Sequence, residues 1–190
     1  MLTKTRATIE DLYKIDGKAE LVNGEIVEFS PQGCMPGYAG DEIYVALRAY
    51  VKRVGTGKAV SGTQVFHVDL PNRQSFSPDA AYHLGANTGM RFLEGAPVFA
   101  VEVRSENDYG AAKEQEMADK CADYFFAGTI VVWDVDLLSL DVVRKYTADS
   151  PTTPRIFRKG ELADAEPAVP GWRMPVIGLF APDSTPLLIK

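Results

Sequence analysis

Residues 97–135 read PVFAVEVRSENDYGAAKEQEMADKCADYFFAGTIVVWDV, and this stretch decides the architecture. It opens on an apolar run, Val98 to Val103, interrupted by a single carboxylate, Glu102. From Asp108 to Gly128 the pattern is helical: Glu114, Met117, Cys121, Tyr124 and Phe125 fall on one stripe, and Gly128 stands where a helix-ending glycine belongs. Thr129 to Val135 is too apolar for a half-exposed strand and predicts a central one, with Leu140 to Tyr146 returning beside it. Upstream, Thr8 to Asp16 predicts a short helix capped by Thr8, with Asp11 three residues on. Two β-prone runs within Ala19 to Phe29 flank Asn23-Gly24, the signal for a type I′ hairpin turn. Pro31 to Gly40 reads as a Gly/Pro loop, followed by a helix of about four turns from Ile43 to Val54 and apolar runs at Ala59 to Leu70 and Ser77 to His83. Downstream, Asp149 to Pro154 reads as a loop leading to a short hairpin over Arg155 to Leu162 and a Pro-rich tail. With no repeat or linker, the order predicts an α/β (α+β) fold, one domain over 1–190, with helices packed on a sheet.

Composition bounds the function. A chain of 190 residues, 46% hydrophobic and 24% charged, is large enough to build its own core without disulfides or a structural metal. No apolar run approaches the roughly 18 residues that cross a bilayer, and the start, MLTKTRATIEDLYKID, is charged where a signal peptide is apolar, so a cytoplasmic protein with no membrane contact is expected. The net charge of −6 argues against a constitutive, tight nucleic-acid binder, because phosphate neutralisation dominates such affinity. It leaves room for an enzyme that meets DNA transiently. Cys34 and Cys121 form no CxxC pair, and His67 and His83 cannot form HExxH, so a catalytic metal would have to sit mainly on carboxylates. Gly55-Thr56-Gly57-Lys58-Ala59 lacks both the upstream glycine and the trailing hydroxyl of a phosphate loop, and no serine lies in GxSxG.

The informative pair is Ser77-Pro78-Asp79 and Val101-Glu102-Val103-Arg104. An aspartate beginning one strand and a glutamate inside the next place two carboxylates on adjacent strands, an oxygen donor set that suits a hard divalent cation. An unpaired buried carboxylate is costly, so Glu102 must find a metal, a base or solvent; a plain bridge to Arg104 is the structural alternative.

This spacing, PD, then about twenty residues, then E-x-basic, resembles the PD-(D/E)XK nuclease superfamily. Glu20-Leu21-Val22-Asn23-Gly24-Glu25-Ile26-Val27 with Ser30-Pro31, Pro78-Asp79, Val101-Glu102-Val103-Arg104-Ser105, a helix with Lys120 and Tyr124, Gly128, Val132-Trp133-Asp134-Val135 and Pro170-Gly171-Trp172 before Leu179-Phe180 together resemble the Uma2 family of restriction-endonuclease-like proteins, from about residue 8 to 181. The resemblance implies a restriction-endonuclease-like mixed sheet flanked by helices, with an N-terminal β-hairpin. It implies Mg²⁺ or Mn²⁺ on Asp79 and Glu102, with Glu20 as the third acidic member. Arg104 occupies the lysine position of the superfamily pattern but cannot deprotonate to activate water. The family resemblance moves that lysine to the following helix, at Lys120, which helical geometry sets about 40° from Tyr124, at the border of the buried stripe. The chain departs from the family in lacking a histidine within Gly37–Asp41 and in having Ser105-Glu106 where Ser-Pro is common.

These readings predict a Mg²⁺-dependent DNA endonuclease. Asp79, Glu102 and Glu20 would surround the ion on one shared sheet, and Lys120 would point toward Glu102 and Asp79. Arg104 would contact a phosphate, and the basic cluster Lys52, Arg53 and Lys58 would track the nucleic acid. Two active sites for double-strand cleavage predict a homodimer. The alternatives are a catalytically silent nucleic-acid-binding or assembly module on the same scaffold, and a structural α+β protein in which Glu102 and Lys120 simply pair.

Overall fold

In the computed structural model, β8 (Phe99–Val103) and β9 (Val131–Val135) lie side by side and parallel, with every residue buried, and α3 (Ala111–Phe126) makes the crossover that parallel neighbours require. The structure describes residues 6–182, so residues 1–5 of the charged start and 183–190 of the expected 1–190 domain lie outside the described residues. The remaining elements are α1 (Ile9–Leu12), β1 (Ala19–Val22), β2 (Glu25–Glu28), α2 (Cys34–Val54), β3 (Lys58–Ser61), β4 (Phe66–His67), β5 (Ser75–Phe76), β6 (Ala80–His83) and β7 (Leu93–Glu94). After β9 come β10 (Val143–Thr147), β11 (Ser150–Phe157), β12 (Leu162–Asp164), β13 (Arg173–Pro175) and a 3₁₀ turn, Val176–Leu179. Six strands form the main sheet in the order β11-β10-β9-β8-β6-β3, antiparallel except for β8 and β9. No described helix is long and apolar enough to cross a membrane.

Strand alternation divides the core into two layers. Ala80, Tyr82, Phe99, Val101, Val103, Val131, Trp133 and Val135 face α2 and the returning tail with Trp172, Val176 and Leu179. Ala81, Ala100 and Val132 face α3, through Cys121 and Tyr124, together with Phe66 and Phe76. The expected helices on both sides of a mixed sheet are therefore present. Cys121 is buried against this second layer, and burial pushes its thiol up to about 12, which fits a structural role.

Four expectations need correction. The segment read as a loop, Pro31 to Gly40, is largely helix: α2 starts at Cys34, because Pro36 sits in the first turn, where its missing N–H has no partner to lose. The segment read as a loop from Asp149 to Pro154 belongs mostly to β11, an edge strand, where Pro151 and Pro154 can turn their non-donating nitrogens outward. The hairpin expected over Arg155 to Leu162 does not form, since β11 pairs with β10 and β12 with β13.

The fourth concerns the first hairpin. Asn23 and Gly24 do adopt the positive φ values of a type I′ turn, 54° and 77°. Yet β1 and β2 form a separate two-stranded sheet, and do not extend the sheet of β6 and β8. The free edge of β1 is taken by β5 and the segment before it: Gln74 N–H donates to Leu21 O at 2.9 Å, Asn23 N–H to Asn72 O at 2.6 Å, and Leu21 N–H to Ser75 Oγ at 2.7 Å. This lashing carries Glu20 up to the α3 face of the main sheet.

Candidate active site

Asp79 immediately precedes β6 and is fastened to β8 at two points. Its N–H donates to Val101 O at 2.9 Å, and its Oδ2 accepts from Val103 N–H at 2.7 Å. Glu102 lies between those two residues on β8 and points to the other face, toward α3. Its Oε1 accepts from Tyr124 Oη at 2.6 Å and pairs with Lys120 Nζ at 2.9 Å. Lys120 and Tyr124 are one helical turn apart, so α3 presents both donors to one carboxylate oxygen. Among the described residues, Glu102 Oε2 has no protein donor.

Lys120 reaches a second carboxylate. Its Nζ stands 2.9 Å from Glu20 Oε1, which also accepts from Ser77 N–H at 2.8 Å, while Glu20 Oε2 takes Arg73 at 2.5 Å. Arg73 continues to Asp123 at 2.8 Å and lies over Phe76, whose ring stacks on Tyr124 at 3.9 Å. The expected direction of Lys120 is thus half right: it meets Glu102, but its second partner is Glu20 and not Asp79. Asp79 Oδ1 is held by Lys18 Nζ at 2.5 Å and Gln32 Nε2 at 2.7 Å, neither singled out by the sequence.

The electrostatics follow from burial set against partners. Burial opposes ionisation of Glu20, but Lys120 and Arg73 outweigh it and hold the carboxyl below its usual value. At Glu102 burial prevails, reinforced by Asp79 and Glu20, and the pKa rises despite Lys120. Burial also works against the Lys120 ammonium, yet Glu102 and Glu20 beside it raise its pKa, so it remains a cation. Burial, then Glu102, push the Tyr124 phenol up, so Tyr124 stays a proton donor.

The remaining expectations divide. Asp79, Glu102, Glu20 and Lys120 do converge. Glu20 has both oxygens engaged, by Ser77, Lys120 and Arg73, and so holds Lys120 in place. Arg104 is not offered to a phosphate: Nε and Nη2 each donate to Asp134 at 2.7 Å, and Nη1 and Nη2 to Glu114, with the side chain only 2% exposed. The cluster Lys52, Arg53 and Lys58 lies at the far end of the molecule. With 21 residues in α2, its C-terminal end is about 30 Å from the end near Gln32, and Lys58 pairs with His83 at the opposite end of β6 from Asp79.

Glu102 Oε2 has no protein donor among the described residues, and Asp79 Oδ1 is held only by the side chains of Lys18 and Gln32, so these two hard oxygens are the ones a cation could reach by moving side chains alone. No ready-made cage of three or more His, Cys, Asp or Glu exists among the described residues. Two carboxylates without a cage leave most of the shell of any hard divalent cation to other oxygen donors.

Comparison with known proteins fits this architecture. The family model named Uma2, described as "Putative restriction endonuclease", matches residues 7–177. A crystal structure of "a putative nuclease belonging to DUF820" from Anabaena variabilis ATCC 29413 superposes with a TM-score of 0.69, covering 91% of this chain and 97% of that one at 17% identity, a likeness of fold. No curated protein matches the chain.

Proposed function

The chain belongs to the Uma2 family, and on that premise we propose that it is a Mg²⁺-dependent, or Mn²⁺-dependent, DNA endonuclease whose ion sits on Asp79 and Glu102. The observation that carries this reading is the buried Lys120 ammonium, 2.9 Å from Glu102 on the strand beside Asp79. A divalent cation bound there supplies Lewis acidity toward the scissile phosphate and lowers the pKa of an attacking water.

The chain's own residues do the rest. The Val103 N–H fixes the Asp79 carboxylate from behind, and the Tyr124 hydroxyl fixes Glu102, so both ligands are oriented before an ion arrives. Glu20 and Glu102 keep Lys120 protonated. It therefore serves as a preorganised positive charge toward the phosphorus-bound oxygens, and not as a base. Arg73 acts one step back by neutralising Glu20, which leaves Lys120 free to share its charge with Glu102. Double-strand cleavage would use a C2 homodimer to bring two such sites to one duplex.

Supercoiled plasmid DNA tests the reading. Mg²⁺ or Mn²⁺ is expected to support cleavage and EDTA to abolish it, with linear product if two sites act together and nicked circles if one acts alone. Intact plasmid across the whole metal range would favour the silent module, a reading encouraged by the acidic chain and by the distance of Lys52, Arg53 and Lys58 from the site.

A further inference from the structure

Lys18 and Lys120 both stand near the half-exposed ring of Phe29, their ammonium groups 5.8 and 5.5 Å from its centre, yet they are held very differently. Lys120 is bracketed by two buried carboxylates. Lys18 has one carboxylate partner, Asp79 Oδ1 at 2.5 Å, and its side chain is 22% exposed where that of Asp79 is 5% exposed. Its backbone is fixed, because Lys18 O accepts from Phe29 N–H at 2.9 Å and so extends the first hairpin by one rung. What can move is the four-carbon stem.

We propose that Lys18 is a placeholder for the metal ion: its ammonium neutralises Asp79 until a divalent cation displaces it, and the released side chain then contacts a phosphate of the DNA. This rests on the function proposed above. Asp79 Oδ2 is held by the fixed backbone N–H of Val103, whereas Oδ1 is held only by the side chains of Lys18 and Gln32, which can move aside for an ion. Gln32 is neutral and can turn aside or stay. An ammonium and a divalent cation on one carboxylate oxygen repel each other strongly, which favours departure of the more weakly held one. The buried, doubly paired Lys120 stays and the partly exposed, singly paired Lys18 goes. Once released, its ammonium stays within reach of the exposed Phe29 ring, beside which Lys120 also lies. The device explains how an acidic protein meets a polyanion: the positive charge is stored on a ligand and released when the ion binds.

Calorimetric Mn²⁺ titration of the wild type, Lys18→Met, Lys18→Gln and Lys18→Arg at fixed ionic strength tests the first half. Removing the competitor should tighten Mn²⁺ binding about tenfold in Lys18→Met. Lys18→Gln keeps a hydrogen-bond donor but no charge and should match it, whereas Lys18→Arg should stay at or below wild type. Equal affinity in wild type and both neutral variants overturns the placeholder and leaves the metal site standing. Absence of Mn²⁺ binding in every form overturns both. The second half is read from binding of a short duplex in Ca²⁺ as salt is varied: Lys18→Met should bind more weakly, with a log–log slope shallower by about 0.9, the value of one phosphate contact. An unchanged slope overturns the phosphate contact.

Discussion

Lys120→Ala is expected to lose about 10²- to 10³-fold or more in cleavage and, in the same molecule, about 3–5 kcal/mol of stability. The two losses have one origin. Lys120 is the cation between Glu20 and Glu102, both buried, and its removal leaves two carboxylates facing each other with only Arg73 on the far side of Glu20. The sequence alone would assign a lysine at a stripe's edge a cost under about 0.5 kcal/mol. The stability loss should also depend on pH. Glu102 already has a raised pKa, and without Lys120 it rises further. A carboxyl whose folded pKa lies above its unfolded value binds its proton more tightly in the folded protein. That contribution is present at low pH and lost as pH rises through the folded pKa, so the deficit should be smaller at pH 5 than at pH 8. Urea unfolding at both pH values checks this. Lys120→Arg, which keeps the charge, should recover most of the stability but little of the cleavage, because a planar fork cannot reproduce a point charge between two carboxylates. Wild-type cleavage by Lys120→Ala at wild-type stability would remove Lys120 from the mechanism.

Arg104→Ala is expected to cost about 3–5 kcal/mol, which for a chain of this size lowers the melting temperature by roughly 10 °C. It should leave the salt dependence of DNA binding by the folded protein unchanged. Arg104 stands over Asp134, which is 1% exposed, and its loss leaves that carboxylate with only Arg144, at 3.3 Å. Burial opposes the guanidinium's charge, but Glu114 and Asp134 more than compensate and drive its pKa upward. The opposite result, near-normal melting with weakened DNA binding, would make Arg104 the phosphate contact that its place in the motif suggests.

The contrast between these two residues shows what a sequence can disclose. Glu102 was conspicuous because a carboxylate inside an apolar strand demands a partner, and the partner exists. Asn23-Gly24 and the largely apolar β9 were legible for the same kind of reason: each is a local pattern with one inexpensive solution. Arg104 shares a strand face with Glu102, but its fate depended on Asp134, thirty residues away on β9, and on Glu114 reaching back from α3. Lys18, Gln32 and Arg73 come from connecting segments, where no periodicity marks a side chain as buried or aimed. The start of α2 and the whole of β11 were hidden behind prolines, which signal a break in the interior of an element but are tolerated in a first helical turn or on a sheet edge. Glu20 was legible as an acidic neighbour, but its contacts with Ser77, Lys120 and Arg73 were not, because they depend on the pairing of β1 with β5 and the segment before it.

As proposed, Asp79 and Glu102 hold one divalent cation beside Lys120. Anomalous diffraction from crystals soaked in millimolar Mn²⁺ tests it most directly. The account predicts a single strong peak about 2.0–2.3 Å from Asp79 Oδ1 and Glu102 Oε2, with Lys18 withdrawn from Asp79 and Lys120 unmoved between Glu20 and Glu102. Crystals that show no Mn²⁺ at this site, with the Lys18–Asp79 bridge intact, would contradict it.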